Sequence, residues 1–385
     1  MKKCKINDKK ELFLQLLQIA LENRERFDTA PTEKEWQGLL EEASRQAVVG
    51  VTCHVFERLS EDQLPPRRVK MQWCGLTEFT REKSSDMNDK VGKVATRLSQ
   101  HGFDSMLLKG AGTALLYPDP TVRTNGDIDI WAWPKEMAKA SLAERRKVMV
   151  DYARRYDPTC DVCYHHTSLP ALRGTKIELH FTPTWMNAPK ANRFLQHRFD
   201  ECRTEGKYKA YSPTLHVNIP SLAFNVVYPL IHICRHLFSE GIGMRHIVDY
   251  YYILRMREQS AVAARKANEA FMQDIRQLGL CRLTAAMMWV LKEGLGLPEE
   301  YLLCKPDERR GRFLLNEIMQ AGNFGQDDAR VEGMNDAPLP KRALLKTSHD
   351  LRHFTLCPAE AFWSFGFKAW QWMKRIQWNK VVTEE

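Results

Sequence analysis

Leu107–Pro134, LLKGAGTALLYPDPTVRTNGDIDIWAWP, is the stretch that decides the reading of the chain. Its end has the apolar, β-branched character of a buried strand, yet Asp127 and Asp129 alternate there with Ile128 and Ile130. Residues two apart on a strand point the same way, so the acids share one face and the isoleucines take the other, toward a core. Two carboxylates about 7 Å apart along a strand face can converge on a hard divalent cation. Without a cation, like charges buried side by side force one of them to take up a proton. The spacing therefore predicts a metal site.

The start of the same stretch predicts a phosphate site. Lys109 and Gly110 fall where a strand turns into a helix, where glycine lets the backbone approach an anion and the first free N–H groups favour negative charge. Arg123 is placed to reach a triphosphate with a bidentate guanidinium, or alternatively to pair with Asp119 at the surface. A third carboxylate is expected from Glu178 in KIELHF, which alternates with Ile177 and Leu179 and shares its strand face with His180. His180 reads either as a site residue or as a satisfied core histidine.

Working outward, the pattern changes on both sides. In residues 1–100, KKELFLQLLQIALENR carries helical periodicity, Thr32 and Glu35 are spaced as a capping box, and a third helix over Val69–Gln100 places Val91, Val94 and Leu98 on one side. Residues 101–220 hold the strand candidates 103–109, 127–133, 163–172 and 176–183, the last two joined by a hairpin-like RGTK, with a short helix over Ala111–Tyr117. Residues 221–385 return to helical periodicity, and Asn323–Pro340, rich in Gly, Asp, Asn and Pro, reads as a mobile connection. The expected architecture is α+β: a small mixed β-sheet core between an N-terminal helical segment and a C-terminal helical domain.

Composition narrows the function classes. The 385 residues are 44% hydrophobic, as in a globular protein with a real core, and no apolar run approaches the ~18 residues of a membrane span. No signal-peptide core follows the N-terminus, so the reading is cytoplasmic, and ten scattered cysteines fit reduced thiols. A net charge of +9 favours an anionic partner, nucleoside triphosphate or nucleic acid, without choosing between them.

Glycine at a strand-to-helix turn, Asp-x-Asp on a strand and a lone acid on a later strand resemble the DNA polymerase β-like nucleotidyltransferase superfamily. The longer pattern, LLKGAG…LLYPDPTVRTNGDIDIW, then IELHF, then HICRH…MRHIVDYYYIL, looks like a broad bacterial group known only as nucleotidyltransferase family proteins, over residues 33–255. The resemblance implies that Asp127 and Asp129 bind Mg²⁺ (or Mn²⁺), that Glu178 completes the site of the catalytic ion, and that Lys109, Gly110 and Arg123 hold the triphosphate. It also implies nucleotidyl transfer from an NTP to an acceptor hydroxyl or phosphate, with the acceptor open among small molecules, sugar phosphates, proteins and RNA. His236, Arg245 and Asp249 recur in the resembling group and either line the cleft or pin two helices together. One departure stands out: the serine common after the turn glycine is Ala111 here.

Competing readings are a non-catalytic nucleotide sensor of the same fold and a metal-dependent glycosyltransferase, which also uses Asp-x-Asp but places a βαβ unit ahead of it. CDVCYHH (160–166) has a zinc-like look at a spacing too compressed for one tetrahedral ion. His232 and His236 lack the intervening glutamate of zinc proteases. The C-terminal FWSFGFKAWQWMKRIQWNK, with Trp363, Trp370, Trp372 and Trp378, reads as a docked helix buried along Trp363, Phe367 and Trp370; the alternatives are peripheral membrane contact and a base-stacking platform.

Overall fold

The computed structural model describes residues 8–137, 140–206, 209–257, 261–326, 328, 330 and 338–380. Three helices lead: α1 (Asp8–Ala20), α2 (Glu33–Arg45) and a single turn α3 (Val49–Thr52), before the long α4 (Arg67–Gln100). The expected Thr32–Glu35 capping box closes the start of α2, while Ala47, at φ 56°, breaks what the sequence presents as one apolar run. The sheet region follows as β1 (Phe103–Leu107), α5 (Ala111–Ala114), β2 (Ile128–Pro134), α6 (Leu142–Arg154), β3 (His166–Leu172), β4 (Thr175–His180), α7 (Pro189–Glu205), β5 (Lys209–Ser212) and β6 (Val217–Pro220). Seven helices complete the described chain: α8 (Leu222–Leu237), α9 (Met244–Arg255), α10 (Ala261–Gln277), α11 (Cys281–Trp289), α12 (Glu308–Ala321), α13 (Leu339–Arg352) and α14 (Pro358–Lys380).

The strands form one mixed sheet in the order β3-β4-β2-β1-β6-β5. β2 is central, antiparallel to β1 and parallel to β4. All four strands expected from the sequence are present; β5 and β6, short and weakly patterned, were not expected. The helix expected over Ala111–Tyr117 shortens to α5, a single turn.

Strand alternation gives the sheet two different coats. Ile128, Ile130 and Ala132 join Ile177, Leu179 and Phe181 in a core with Val91, Val94 and Leu98 of α4 and Met149 of α6. On the opposite face Trp131 and Trp133 enter the larger core, which takes in Leu195 and Phe199 of α7 and much of α8 and α9. That larger core also holds Phe13 and Trp36, so the leading helices, the sheet and the trailing helices share buried apolar surface.

The terminal helix departs from the expected stripe. Phe367 and Trp370 pack edge-on against Tyr164, but Trp363 and Trp370 are both exposed, because the buried side of α14 runs through Ala361 and Ser364, with Lys368 reaching Phe238 O beside them. Half of Asn323–Pro340 lies outside the described residues. Among the described residues no helix is long and apolar enough to cross a membrane.

Glu317 of α12 is a test of the trailing helices. It lies 2.9 Å from Arg330, 3.8 Å from Arg352 and 3.6 Å from His353. Burial pushes its carboxyl up, but His353 and Arg330 outweigh this and bring it from 4.5 to about 2. A carboxyl depressed on folding contributes stability that is full above its unfolded value and is lost as pH falls through the folded one. Thermal unfolding followed across pH 4.5 to about 2 should show this loss in the wild type, and Glu317→Gln should flatten it.

Candidate active site

The sheet brings the three predicted acids together. Asp129 on β2 sits directly across from Glu178 on β4, and Trp131 across from His180. Asp127 precedes β2 by one residue, and one oxygen from each of the three carboxylates lies within 4.8 Å of the others. Asp129 is only 2% exposed and Glu178 is nearly as buried, whereas Asp127 sits at the open edge.

β3 adds a group the sequence reading left out. Arg173 and Gly174, both at positive φ, form the tight hairpin turn, and the Leu172–Thr175 pair starts the β3–β4 ladder. Between Leu172 and Leu169 the register slips by one residue, at Pro170, which has no N–H for the ladder. Continued without the slip, the ladder would set His166 against Phe181 on the apolar face. With it, His166 opposes His180 and Ser168 opposes Glu178, so both point to the acids' side. His165 follows, its Nε2 3.0 Å from His166 Nδ1. The histidines of CDVCYHH thus belong to this site, whereas Cys160 and Cys163 bond locally to Thr167 and Asp161.

Asp129 and Glu178 are each matched by cations of the chain itself. Lys109, at the end of β1, places Nζ 3.3 Å from Asp129 Oδ2, and His180 Nε2 lies 3.1 Å from Asp129 Oδ1 and 3.4 Å from Glu178 Oε2. Lys176, two residues before Glu178 and on the same face, bonds to its other oxygen. Burial opposes the charge on His180, but hydrogen bonds to Asp129 and Glu178 prevail and raise it to about 9. Burial likewise pushes Asp129 and Glu178 up, yet Lys109 and His180 hold Asp129 down, and His180, His166 and Lys176 hold Glu178 well below the carboxylate range. Asp127 is the exception: burial, then the charge of Asp129, raises it. The pair His180⁺ and Asp129⁻ therefore persists through neutral pH, and Asp127 is the acid most open to an incoming cation.

Gly110 occupies the predicted turn at φ +67°, a conformation that side chains strain to adopt. It faces the start of β2, where Asn125 Oδ1 and Asp127 O lie nearest to where a Cβ would stand. Ala111 is buried behind it.

Arg123 is where the structure differs most from the expectation. Its Nε and Nη2 form a fork, each 2.7 Å from an Asp249 oxygen, and Nη1 bonds Asn125 at 2.8 Å. Tyr117 adds a hydroxyl to the same carboxylate at 2.5 Å. Asp119, the alternative partner, instead pairs with Arg81. Burial disfavours charge on both Arg123 and Asp249, but their mutual attraction raises the first and lowers the second. The fork that would reach a triphosphate is thus held inside the protein, linking the segment before β2 to α9.

Arg245 stands one helical turn before Asp249 on α9. It is buried, its Nη1 donates to Thr124 O at 2.9 Å, and its Nε has no hydrogen-bond partner among the described residues. Burial, then the charge of Arg123, lowers it to about 10. It lines the same cleft as Lys109, Asp127 and Asp129, between the sheet and helices α8 and α9. His232, absent from the predicted set, places Nε2 3.2 Å from Lys109 Nζ, and His236 touches His232. The i, i+4 spacing of these two histidines was visible in the sequence; their meeting with Lys109 depends on how α8 crosses the end of β1.

The family model described as uncharacterised nucleotidyltransferase matches residues 32–296. No curated protein matches the chain. Among solved structures it is similar to an antigenic nucleotidyltransferase-like protein from Paracoccidioides brasiliensis, at 13% identity and a TM-score of 0.28, over 55% of this chain and 93% of that one.

Removing one member of a buried ion pair leaves the other charged and unpaired, at a cost of about 3–5 kcal/mol. Asp249→Asn should therefore lower stability by that order in denaturant unfolding. Arg123→Lys, which keeps the charge but loses the fork, should also lose stability. If Arg123→Lys were as stable as wild type, the fork to Asp249 would not be the role of Arg123.

Proposed function

The chain belongs to the uncharacterised nucleotidyltransferase family, and from that membership we propose that it transfers a nucleotidyl group from a nucleoside triphosphate to an acceptor hydroxyl or phosphate, releasing pyrophosphate. The observation that carries the reading is the convergence of Asp127, Asp129 and Glu178 within 4.8 Å on one sheet face, beside a glycine turn and a lysine. This plan is the one that resembles the DNA polymerase β-like superfamily.

The donor set fits a hard cation. Three carboxylates offer only oxygen, the chemistry suited to Mg²⁺ or Mn²⁺. Such an ion, when bound, supplies Lewis-acid polarisation of phosphoryl oxygen and makes an acceptor hydroxyl easier to deprotonate. Asp127, at the open edge, and Asp129 would hold it, with Glu178 completing the set. His180 fixes the orientation of Asp129 and Glu178 through its two hydrogen bonds.

Phosphate would be held from the other side of the cleft. Lys109 reaches Asp129 only through its flexible stem, so it is free to turn to a phosphate once Asp129 has another partner. Among the described residues no carboxylate bonds the Arg245 guanidinium directly, which makes it a better phosphate ligand than Arg123. Gly110 lets an anion approach the backbone, and this compensates in part for the hydroxyl that Ala111 lacks.

The test is nucleotide binding and pyrophosphate release with Mg²⁺ or Mn²⁺, across the four ribonucleoside triphosphates. Wild type should bind one or more of them in a metal-dependent way. Asp127→Asn/Asp129→Asn should lose this, and pyrophosphate release with a competent acceptor should fall on the order of 10²-fold or more, the scale of losing one electrostatic stabiliser. Binding without turnover for any acceptor would favour the sensor reading. Binding of UDP-sugars in place of triphosphates would replace the proposal with glycosyl transfer.

A further inference from the structure

His232 and His236 stand one turn apart on α8, and His246 reaches them from the first turn of α9. One ring nitrogen from each lies within 4.8 Å of the others, and the Nε2 atoms of His232 and His236 are 2.9 Å apart. We propose that these three histidines form a site for a divalent transition-metal ion, separate from the carboxylate site.

Three features of the geometry support it. Three nitrogens around one tetrahedral ion stand about 3.3 Å from each other, given metal–nitrogen bonds of about 2.0–2.1 Å, and the three rings here hold a nitrogen each within 4.8 Å of one another, close to that spacing. Groups that could orient the outer nitrogens stand nearby: Glu240 lies 3.4 Å from His236 Nδ1, and both Gly243 N and Gly243 O lie 3.3 Å from His246 Nδ1. A carboxylate or a carbonyl behind the ring is how metal-binding histidines are commonly oriented. Finally, His232 Nε2 faces both His236 Nε2 and Lys109 Nζ, two neighbours for a single lone pair or proton. A metal ion takes that lone pair and leaves Lys109 to Asp129.

The surroundings set the class of ion. Phe324 lies over His236 and His246, with ring centroids 5.1 and 5.3 Å away, and the cluster stays partly open to the cleft. Imidazole nitrogen suits Zn²⁺, Co²⁺ or Ni²⁺, whereas Mg²⁺ calls for oxygen. The site stands whether or not the carboxylates take an ion.

The test is Co²⁺ titration of the full chain, following visible ligand-field absorption, together with X-ray absorption of the loaded wild type. One equivalent of Co²⁺ should bind with a shell containing three imidazole nitrogens. His232→Gln and His236→Gln should each weaken it by more than the roughly 10- to 100-fold that loss of an outer hydrogen bond costs. Asp127→Asn/Asp129→Asn and His166→Gln should retain it. Absence of the bands in wild type, a shell of oxygen alone, or bands lost with Asp127→Asn/Asp129→Asn or His166→Gln would overturn the proposal. Should the α8 variants fail to fold, retention of the three-imidazole shell in His166→Gln decides it, since among the described residues His165, His166 and His180 are the other histidines gathered closely enough to supply one. Loss of the Co²⁺ site with triphosphate binding intact would leave the nucleotidyl-transfer reading standing, and the reverse result would leave the histidine site.

Discussion

Three carboxylates on one buried face of two adjacent strands concentrate negative charge where water screens it poorly, and much of the surrounding structure answers that charge. Lys109 comes from the end of β1, His180 and Lys176 from β4, and His166 from β3 by way of a one-residue register slip. The opposite face carries mainly apolar side chains from the same strands, so the alternation that exposes the acids to the cleft also anchors them. A shift of β2 by one residue would bury both aspartates among Val91, Leu98 and Met149, at a cost the fold could not offset.

A second buried pair sets where the roof of the cleft sits. Asp249 ties α9 to the segment entering β2 through the two-pronged bond to Arg123, and Tyr117 reinforces it from the end of the glycine-turn segment. Because that pair is satisfied internally, Arg245 is carried to the cleft with a guanidinium edge unspent. The helices that bring Arg245, His232 and His246 share their apolar side with Trp131 and Trp133, so the position of the cleft's far wall follows from the packing of β2 itself.

The strands that carry the acids were legible because alternation of period two survives in a single sequence: Asp127 and Asp129 against Ile128 and Ile130, Glu178 against Ile177 and Leu179. The capping box at Thr32 and Glu35 was legible for a similar reason, since it is local. What sequence spacing could not show is distance between elements. Arg123 looked equally fit for phosphate and for Asp119, and its partner is more than 100 residues away, on α9. His166 would have been assigned to the wrong face by simple alternation from the turn, because Pro170 shifts the register. Trp363 follows the helical stripe of α14 yet lies in the open, since burial there is decided by what the helix lands on.

The resting arrangement of the acids has a further implication. Asp129 and Glu178 are already electrically answered by an ammonium and an imidazolium, so the chain can be synthesised and folded without borrowing charge from outside. An ion taken up there, as proposed, would be an exchange and not an addition, displacing the side chains that now sit against Asp129 and Glu178. It succeeds only by offering what they lack, shorter contacts and several oxygens gathered at one centre. Selectivity in such a seat is set by the incumbents as much as by the acids.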